Sequence, residues 1–209
     1  MATGRFISIE GGEGAGKSTQ IALLADRLRN LGLDVDLTRE PGGTDGAEAI
    51  RQLLLGGEDD RWGHSAEALL FAAARSDHVE KRIRPALIEG KWVISDRFVD
   101  SSRAYQGASL GLSDDTIMQL HQIGSGGLMP DRTIVMDIPL DEARQRTRQR
   151  DGDTSDRIGG RNDAFHQNVR DAFRRISTQE PDRVRIVEAS GTPDEIASRI
   201  FNQIADLLP

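Results

Sequence analysis

Four residues near the start of the chain have the types and the spacing of a phosphate-binding loop. In the stretch GGEGAGKST, the pattern G-x-x-x-x-G-K-[ST] is satisfied by Gly11, Gly16, Lys17 and Ser18. In such a loop, backbone N–H groups surround the phosphate oxygens, the lysine amine reaches the β and γ phosphates, and the serine hydroxyl binds Mg²⁺. We therefore predict that a nucleotide's phosphates bind at Gly11, Gly12, Glu13, Gly14, Ala15, Gly16, Lys17, Ser18 and Thr19.

The stretches on either side of this loop support the prediction. Residues 6–9 are apolar and of strand length, and residues 19–30 favour a helix. The motif works in this strand–loop–helix setting, which disfavours the alternative of a glycine turn with a solvated lysine. The loop alone does not define an activity, because motors, switches, transporters and kinases all use one.

Two further stretches predict a second site for phosphate. In TREPGGT, Arg39 ends an apolar strand, and its planar guanidinium could bind a phosphate through two parallel hydrogen bonds. In WVISDRF, Asp96 could bind Mg²⁺ or its water while Arg97 faces phosphate. The alternatives are an ordinary strand end and turn for TREPGGT, and a surface Asp–Arg ion pair for WVISDRF.

An aromatic residue and several arginines complete the candidate set. Phe71 and Arg75 lie four positions apart in LLFAAAR and would share one helix face, either in the core or against the flat base of a ligand. Arginines at every second position from 144 to 150 lead into the polar, glycine-rich residues 150–162. The arginines form either a solvated helix or the hinge of a mobile lid, from which they could move onto a phosphate.

Strands and helices must bring these groups to one edge of a sheet. Apolar runs of strand length alternate with amphipathic helical segments, and they occupy residues 6–10, 35–38, 92–95, 133–138 and 185–188. This alternation predicts an α/β fold in which five parallel strands form a sheet with helices on both faces. Each candidate motif follows a strand, where ligands of such sheets bind. We expect a single domain, residues 1–209, with a lid segment at residues 150–162.

Charge and composition restrict the classes of function. The chain has 27 basic and 34 acidic residues and a net charge of -7, whereas proteins that mainly bind nucleic acid are more often basic. It has no cysteine, which excludes disulfides and thiolate metal sites and fits a reducing cytosol. No apolar run reaches the length of a membrane span or a signal peptide. We expect a cytoplasmic protein without nucleic-acid or membrane partners.

Taken in order, GGEGAGKST, TREPGGT, LLFAAAR, WVISDRF, SSRAYQG and the arginine-rich lid resemble the thymidylate kinases of the bacterial type. The resemblance extends over most of the chain, and its specific parts are TREPGGT and DRF followed by AYQG. It implies the fold of the P-loop nucleoside monophosphate kinases and a transfer of the γ phosphate of ATP to dTMP, which gives dTDP. The partners would be the small molecules ATP and dTMP, with Mg²⁺ as cofactor, and the assembly would usually be a homodimer.

The resemblance assigns roles to residues around the nucleoside of dTMP. Phe71 would stack on thymine, and Arg75 would donate a hydrogen bond to it. Ser102 and Gln106 would lie near the edge of the base. Tyr105 would pack beneath the sugar, where a ribose 2'-hydroxyl would clash, and would therefore favour deoxynucleotides.

The resemblance also assigns roles at the phosphates. Arg39 and Arg97 would hold the acceptor phosphate, and Glu13 would point away from ATP to accept a hydrogen bond from the sugar 3'-hydroxyl. Some relatives carry an arginine in the loop beside this acid, where this chain has Gly14. Positive charge at the transferring group would then come from the lid. The lid candidates for this role are three arginines. With them, the predicted catalytic residues are Lys17, Asp96, Arg97, Arg148, Arg150 and Arg157.

Two other functions stay open on the sequence alone. A nucleotide-dependent switch would use the same phosphate loop to change its affinity for a partner, but would not need the second anion site of Arg39 and Arg97. A deoxynucleoside kinase would act on a neutral hydroxyl and would need a general base instead of arginines. Assays that offer thymidine and dTMP separately distinguish these activities.

Overall fold

A parallel sheet forms the centre of the computed structural model, which describes residues 4–58, 61–151 and 157–209, except for the side chains of residues 149–151. The sheet has five strands in the order β2-β3-β1-β4-β5, and every neighbouring pair is parallel. The strands are β1 (Arg5–Gly11), β2 (Val35–Arg39), β3 (Trp92–Asp96), β4 (Arg132–Asp137) and β5 (Val184–Glu188). The predicted α/β fold is confirmed, and each predicted strand end lies within one residue of the observed one.

Helices connect the strands and cover both faces of the sheet. The α-helices are α1 (Lys17–Asn30), α2 (Asp45–Leu55), α3 (His64–His78), α4 (Arg84–Ile88), α5 (Val99–Ser102), α6 (Asp114–Ser125), α7 (Leu140–Asp151), α8 (Asp163–Gln179) and α9 (Pro193–Asn202). A π-helical stretch, Val79–Ile83, joins α3 to α4, and a second one, Arg103–Ala108, continues α5. None of the helices in the described ranges is long and apolar enough to cross a membrane.

Alternate residues of the strands face opposite layers of the core. Ile7 and Ile9 of β1 belong to a buried cluster on one face, together with Leu28 of α1. Phe6 of the same strand points to the other face and packs in a cluster with Val93 of β3. This alternation follows from the period of two in a strand, and both faces are apolar because helices cover both.

The register of the strands brings the candidate motifs to one edge of the sheet. Asp96, the last residue of β3, pairs with Ile9 of β1 and with Arg39 of β2. Gly11, which ends β1 and begins the phosphate loop, pairs with Met136 of β4. The phosphate loop, TREPGGT and DRF therefore open onto the same space at the carboxyl ends of the strands.

Candidate active site

The phosphate loop ends at the N-terminus of α1, where backbone donors are available to an anion. Gly16 begins the helix in the left-handed region, with φ 84°. No side chain in the described chain caps this end, and its first turn contains no acidic residue. The first N–H groups of a helix have no partner inside the helix, and its dipole places partial positive charge there. This end of α1 can therefore bind phosphate through its backbone.

Gly14 holds the loop against α7. It has φ 73°, and a Cβ atom at this position would collide with the carbonyl oxygen of Ala143 and lie 2.8 Å from the hydroxyl of Thr147. Only glycine fits both the backbone angle and this close approach. The loop is therefore fixed against the helix that carries the alternating arginines.

Lys17 lies over the loop with its amine directed inward. Its Nζ donates hydrogen bonds to the carbonyl oxygens of Gly12, at 3.1 Å, and of Gly11, at 3.3 Å. Desolvation by the surrounding protein, together with the positive charge of Arg97, lowers the pKa of Lys17 to about 8. The free protein thus holds a cation whose charge a bound polyanion would stabilise.

This lowered pKa predicts that ATP binding depends on pH. Phosphates beside Lys17 would raise its pKa in the complex, so binding above pH 8 must take up a proton. The dissociation constant of ATP should then increase as the pH rises through 8, with a limiting slope of about tenfold per pH unit. Isothermal titration calorimetry in two buffers of different ionisation heat measures the proton uptake directly. Lys17→Ala should abolish it, and a constant affinity of the unchanged protein from pH 7 to 9.5 would contradict the assignment.

A cleft of about 460 Å³, called here the central cleft, lies beside the phosphate loop. It extends between the loop, the ends of β2 and β3, helix α3 and the π-helical stretch Arg103–Ala108. The structure thus brings most of the predicted site residues to one space. Those that line it are Glu13, Gly14, Gly16, Lys17, Ser18, Thr19, Arg39, Phe71, Asp96, Arg97, Tyr105 and Gln106.

Arg97 has an unusual backbone conformation. Its φ of 72° makes it the one non-glycine residue with positive φ among the described residues. A left-handed residue other than glycine costs about 1–2 kcal/mol, so its neighbours must stabilise it. Its N–H donates to the carbonyl oxygen of Ile9 at 3.0 Å, and its guanidinium lies 5.0 Å from the centre of the Tyr105 ring. The strained turn directs a cation into the central cleft.

Asp96 and Ser18 have the chemistry of partial ligands for Mg²⁺. The Oδ1 atom of Asp96 is buried and has no hydrogen-bond partner within the described chain, although the residue lines the central cleft. The hydroxyl-bearing Ser18 lines the same cleft and is exposed. No group of three or more acidic or histidine side chains that could hold a metal occurs in the described residues. Mg²⁺ is usually bound by one or two protein ligands together with phosphates and water, and Asp96 and Ser18 would supply two such ligands.

Arg39 lies at the rim of the central cleft. Its guanidinium donates to both carboxylate oxygens of Glu48, at 3.0 and 3.2 Å, and its side chain is 57% exposed. Glu48 also accepts from the N–H of Gly43 and so ties the TREPGGT turn to α2. An exposed ion pair of this kind contributes little stability, so Arg39 can exchange it for a phosphate at low cost.

The residues predicted to bind the nucleoside form two layers. Phe71, Tyr105 and Gln106 line the central cleft. Arg75 and Ser102 are buried and do not line it in the described structure. Arg75 Nη2 donates to the Ser102 hydroxyl at 3.0 Å. The direct contact of Arg75 with the base stays a prediction.

Of the three candidate lid arginines, the two whose side chains are described occupy different settings. Arg148 is exposed and lines a second cleft of about 460 Å³ between α7, α8 and the phosphate loop. The side chain of Arg150 lies outside the described residues, as do residues 152–156 of the predicted lid. Arg157 is buried, and it donates to Glu67 Oε2 at 2.6 Å and to the carbonyl oxygen of Leu54 at 2.9 Å. The role predicted for Arg157 at the transferring phosphate stays a prediction, and its contacts show it joined to α2 and α3.

The setting of Arg157 predicts a structural cost for its removal. Arg157→Ala breaks a buried ion pair with Glu67 and should lower the free energy of unfolding by about 2 kcal/mol, because Arg161 still pairs with that carboxylate. Arg148→Ala, at an exposed position of the same region, should change it by less than about 0.5 kcal/mol. Urea unfolding of both variants measures the difference, and equal stabilities would contradict the buried setting.

Sequence reasoning missed several acidic and histidine residues of the site. Glu40 is buried and lines the central cleft, accepts from Arg75 at 2.8 Å and lies 3.1 Å from the ring of the buried His78. Glu67 accepts from Gln106, which lines the cleft, at 2.9 Å. His166 lines both clefts. The carboxylates bond to residues 35 to 94 positions away along the chain, so no local sequence signal could have indicated these pairs.

The fold and the site define a P-loop protein of the nucleotide-kinase class. The sequence matches the family model described as "Thymidylate kinase" over residues 9–200. It is 57% identical over 206 residues to a thymidylate kinase of Rhizorhabdus wittichii, covering 99% of both chains, and 48% identical to one of Bradyrhizobium diazoefficiens, covering 99% of this chain and 91% of the relative. A crystal structure of thymidylate kinase from Ehrlichia chaffeensis superposes with a TM-score of 0.77 at 31% identity, over 96% of this chain and 98% of that one. The chain belongs to the thymidylate kinase family.

Proposed function

We propose that this protein transfers the γ phosphate of ATP to dTMP, giving dTDP for the synthesis of dTTP. The observation that supports it best is the composition of the central cleft. The phosphate loop with Lys17, two arginines, Arg39 and Arg97, and the aromatic rings of Phe71 and Tyr105 all line this one cleft. The phosphates of a single nucleotide need only the phosphate loop and its lysine, whereas a phosphorylated acceptor needs further cations such as these arginines.

Electrostatic repulsion is the main barrier to this reaction. The acceptor phosphate has a second pKa of about 6, so it is already ionised at neutral pH and needs no strong general base. Two anions must instead be brought into line, and their charge shifts between oxygens during the transfer. Lys17 and Arg97, which both line the central cleft, would offset this charge, and the exposed Arg148 of α7, which lines the second cleft, would add to it.

Magnesium would complete the donor site. Asp96, directly or through water, and the Ser18 hydroxyl would hold the ion beside the phosphates of ATP. The ion supplies charge neutralisation and orients the phosphates when bound. Asp96 has a buried carboxylate oxygen without a partner among the described residues, which supports this role.

The acceptor nucleoside would occupy the aromatic side of the cleft. Phe71 would stack on thymine, Gln106 would lie at its edge, and Tyr105 would pack beneath the sugar. Glu13, which lies between both clefts, would accept the hydrogen bond of the 3'-hydroxyl. Such a pocket combines a flat apolar surface for the base with a few polar groups that fix its orientation.

Assembly, lid and location belong to the same proposal. Leu69 on α3 and Ile123 on the neighbouring α6 are 55% and 84% exposed, which supports the expected homodimer through these helices. The single domain of residues 1–209, the lid at residues 150–162 and the cytoplasmic location stay predictions. Sedimentation of the purified protein measures the oligomeric state.

Product analysis tests the proposed reaction. The protein is incubated with Mg-ATP and either dTMP, thymidine or no acceptor, and the products are separated by anion-exchange chromatography. We expect dTDP and ADP in equal amounts with dTMP, no dTMP from thymidine, and slow phosphate release without acceptor. Rapid release of phosphate that dTMP does not affect would indicate an ATPase or a switch, and phosphorylation of thymidine would indicate a nucleoside kinase.

A further inference from the structure

Glu10 is a buried carboxylate directly below the candidate active site. It is 0% exposed and lies at the end of β1, one residue before the phosphate loop begins. Its oxygens accept hydrogen bonds from Ser8 Oγ at 2.8 Å, from the N–H of Phe98 at 2.7 Å and from Ser101 Oγ at 2.6 Å. A buried charge is costly unless it is paired and hydrogen-bonded, and this strand position could otherwise be apolar like its neighbours. The three donors satisfy this buried carboxylate, and two of them join β1 to the residues that follow β3.

The hydrogen bond to Ser101 fixes the direction of a short relay. A serine hydroxyl has one proton, and here it is donated to Glu10 Oε2. The Ser101 oxygen is then available only as an acceptor, and Arg97 Nη1 donates to it at 3.2 Å. The hydrogen bonds thus run from Arg97 to Ser101 and from Ser101 to Glu10. Together they fix one edge of the Arg97 guanidinium.

The same carboxylate also supports the backbone of Arg97. Glu10 Oε1 accepts from the N–H of Phe98, the next residue, while the N–H of Arg97 donates to the carbonyl oxygen of Ile9. Strand β1 thus forms hydrogen bonds with the backbone of Arg97, which has φ 72°, and of the residue after it. Strained conformations persist where surrounding contacts over-determine them, as these do.

The electrostatic setting of Glu10 fits this task. Burial and the nearby charge of Asp100 raise its pKa to about 7, and Arg97 opposes this increase. Glu10 in turn stabilises the charged forms of Lys17 and Arg97, which repel each other in the free protein. Its charge is therefore coupled to the two cations that face the substrates.

We propose that Glu10 is a positioning residue for the acceptor phosphate, which it serves by orienting Arg97 through Ser101 and through the backbone of Phe98. The inference rests on the proposed function. It assigns Glu10 no contact with substrate, and it predicts that losing its carboxylate weakens recognition of the phosphate but not of the nucleoside.

Three variants test this role. In Glu10→Gln the amide cannot accept from all three donors, and Ser101→Ala cuts the relay while leaving the carboxylate in place. Ser8→Ala is the matched control, because it removes one hydrogen bond from the same carboxylate and leaves the contacts of Glu10 with Ser101 and Phe98 in place. Melting temperatures establish that each variant is folded, and Ser101→Ala keeps the test valid if Glu10→Gln does not fold.

Comparing the binding of dTMP with that of thymidine separates recognition of the phosphate from recognition of the nucleoside. We expect Glu10→Gln and Ser101→Ala to raise the dissociation constant of dTMP about tenfold or more, the usual effect of losing a charge-assisted contact. The dissociation constant of thymidine and the KM of ATP should change less than about threefold. In an Arg97→Ala background, Glu10→Gln should have no further effect on dTMP binding, because the relay then has nothing to orient.

Several results would overturn the proposal. Equal weakening of thymidine and dTMP, an effect of Ser8→Ala as large as that of Glu10→Gln, or additivity with Arg97→Ala would each show that Glu10 acts only as a structural support. Unchanged dTMP binding in both relay variants would also exclude the role. The unchanged protein is measured first, because failure to phosphorylate dTMP at all would count against the proposed function and not against the relay.

Discussion

Replacing Lys17 with alanine should lower kcat by about 10³-fold or more while the protein stays folded. The amine lies over the phosphate loop and faces the central cleft, and its pKa of about 8 makes it a cation that bound phosphates would stabilise. No other lysine lines this cleft within the described residues. Removing the amine takes away positive charge where the β and γ phosphates of ATP would lie. Single-turnover measurements with saturating ATP and dTMP separate this loss from weaker binding.

Lys91→Ala is the matched control for this experiment. Lys91 is paired with Glu89 at 2.7 Å just before β3, at the end of the sheet opposite the cleft. Its replacement should leave kcat within about twofold, since surface pairs of this kind contribute little. Near-normal turnover in Lys17→Ala would contradict the assignment of the donor site.

Replacing Arg97 with alanine should lower kcat/KM for dTMP by about 10³-fold, with a smaller effect on KM for ATP. The guanidinium lines the cleft, lies 5.0 Å from the centre of the Tyr105 ring and is close enough to Lys17 to lower the pKa of its amine. Arg97→Lys should recover only part of the activity, because an ammonium cannot form two parallel hydrogen bonds with phosphate. Steady-state kinetics with each substrate varied in turn measure these effects, and Arg29→Ala on the exposed end of α1 is the control.

Arg97→Gly separates the side chain from the backbone. Glycine adopts φ 72° without strain. The free energy of unfolding of this variant should therefore be about 1 kcal/mol higher than that of Arg97→Ala. Both should be equally inactive. Recovery of activity in the glycine variant alone would mean that the turn, and not the guanidinium, matters for the reaction.

The sequence predicted the sheet and the position of the phosphate loop well because both depend on local patterns. Strand periodicity located β1 to β5, and the glycine-lysine motif located the backbone cradle of the phosphate loop. Arg39 and Arg97 were predicted at the correct strand ends, because the carboxyl ends of parallel strands meet at one edge. These features can be predicted without knowing which residues from distant parts of the chain lie next to each other in the fold.

The sequence could not predict the partners of the buried charged residues. Glu10 accepts from residues 88 and 91 positions away, and Arg157 contacts residues 90 and 103 positions away. Periodicity determines which face a residue occupies but not which side chain it meets there. Arg157 resembled a lid residue because its surroundings are polar and rich in glycine, whereas the fold buries it against Glu67.

The central claim is that the phosphate loop and the guanidinium of Arg97 face two phosphate-bearing nucleotides in one cleft. A panel of nucleoside 5'-monophosphates with Mg-ATP tests it most directly, with thymidine included as the acceptor that lacks a phosphate. We predict that dTMP has the highest kcat/KM of the panel, that ribonucleotides are poor acceptors because Tyr105 would pack where a 2'-hydroxyl would lie, and that thymidine is not phosphorylated. Equal use of thymidine and dTMP, or a lack of phosphate transfer to every monophosphate, would contradict the claim.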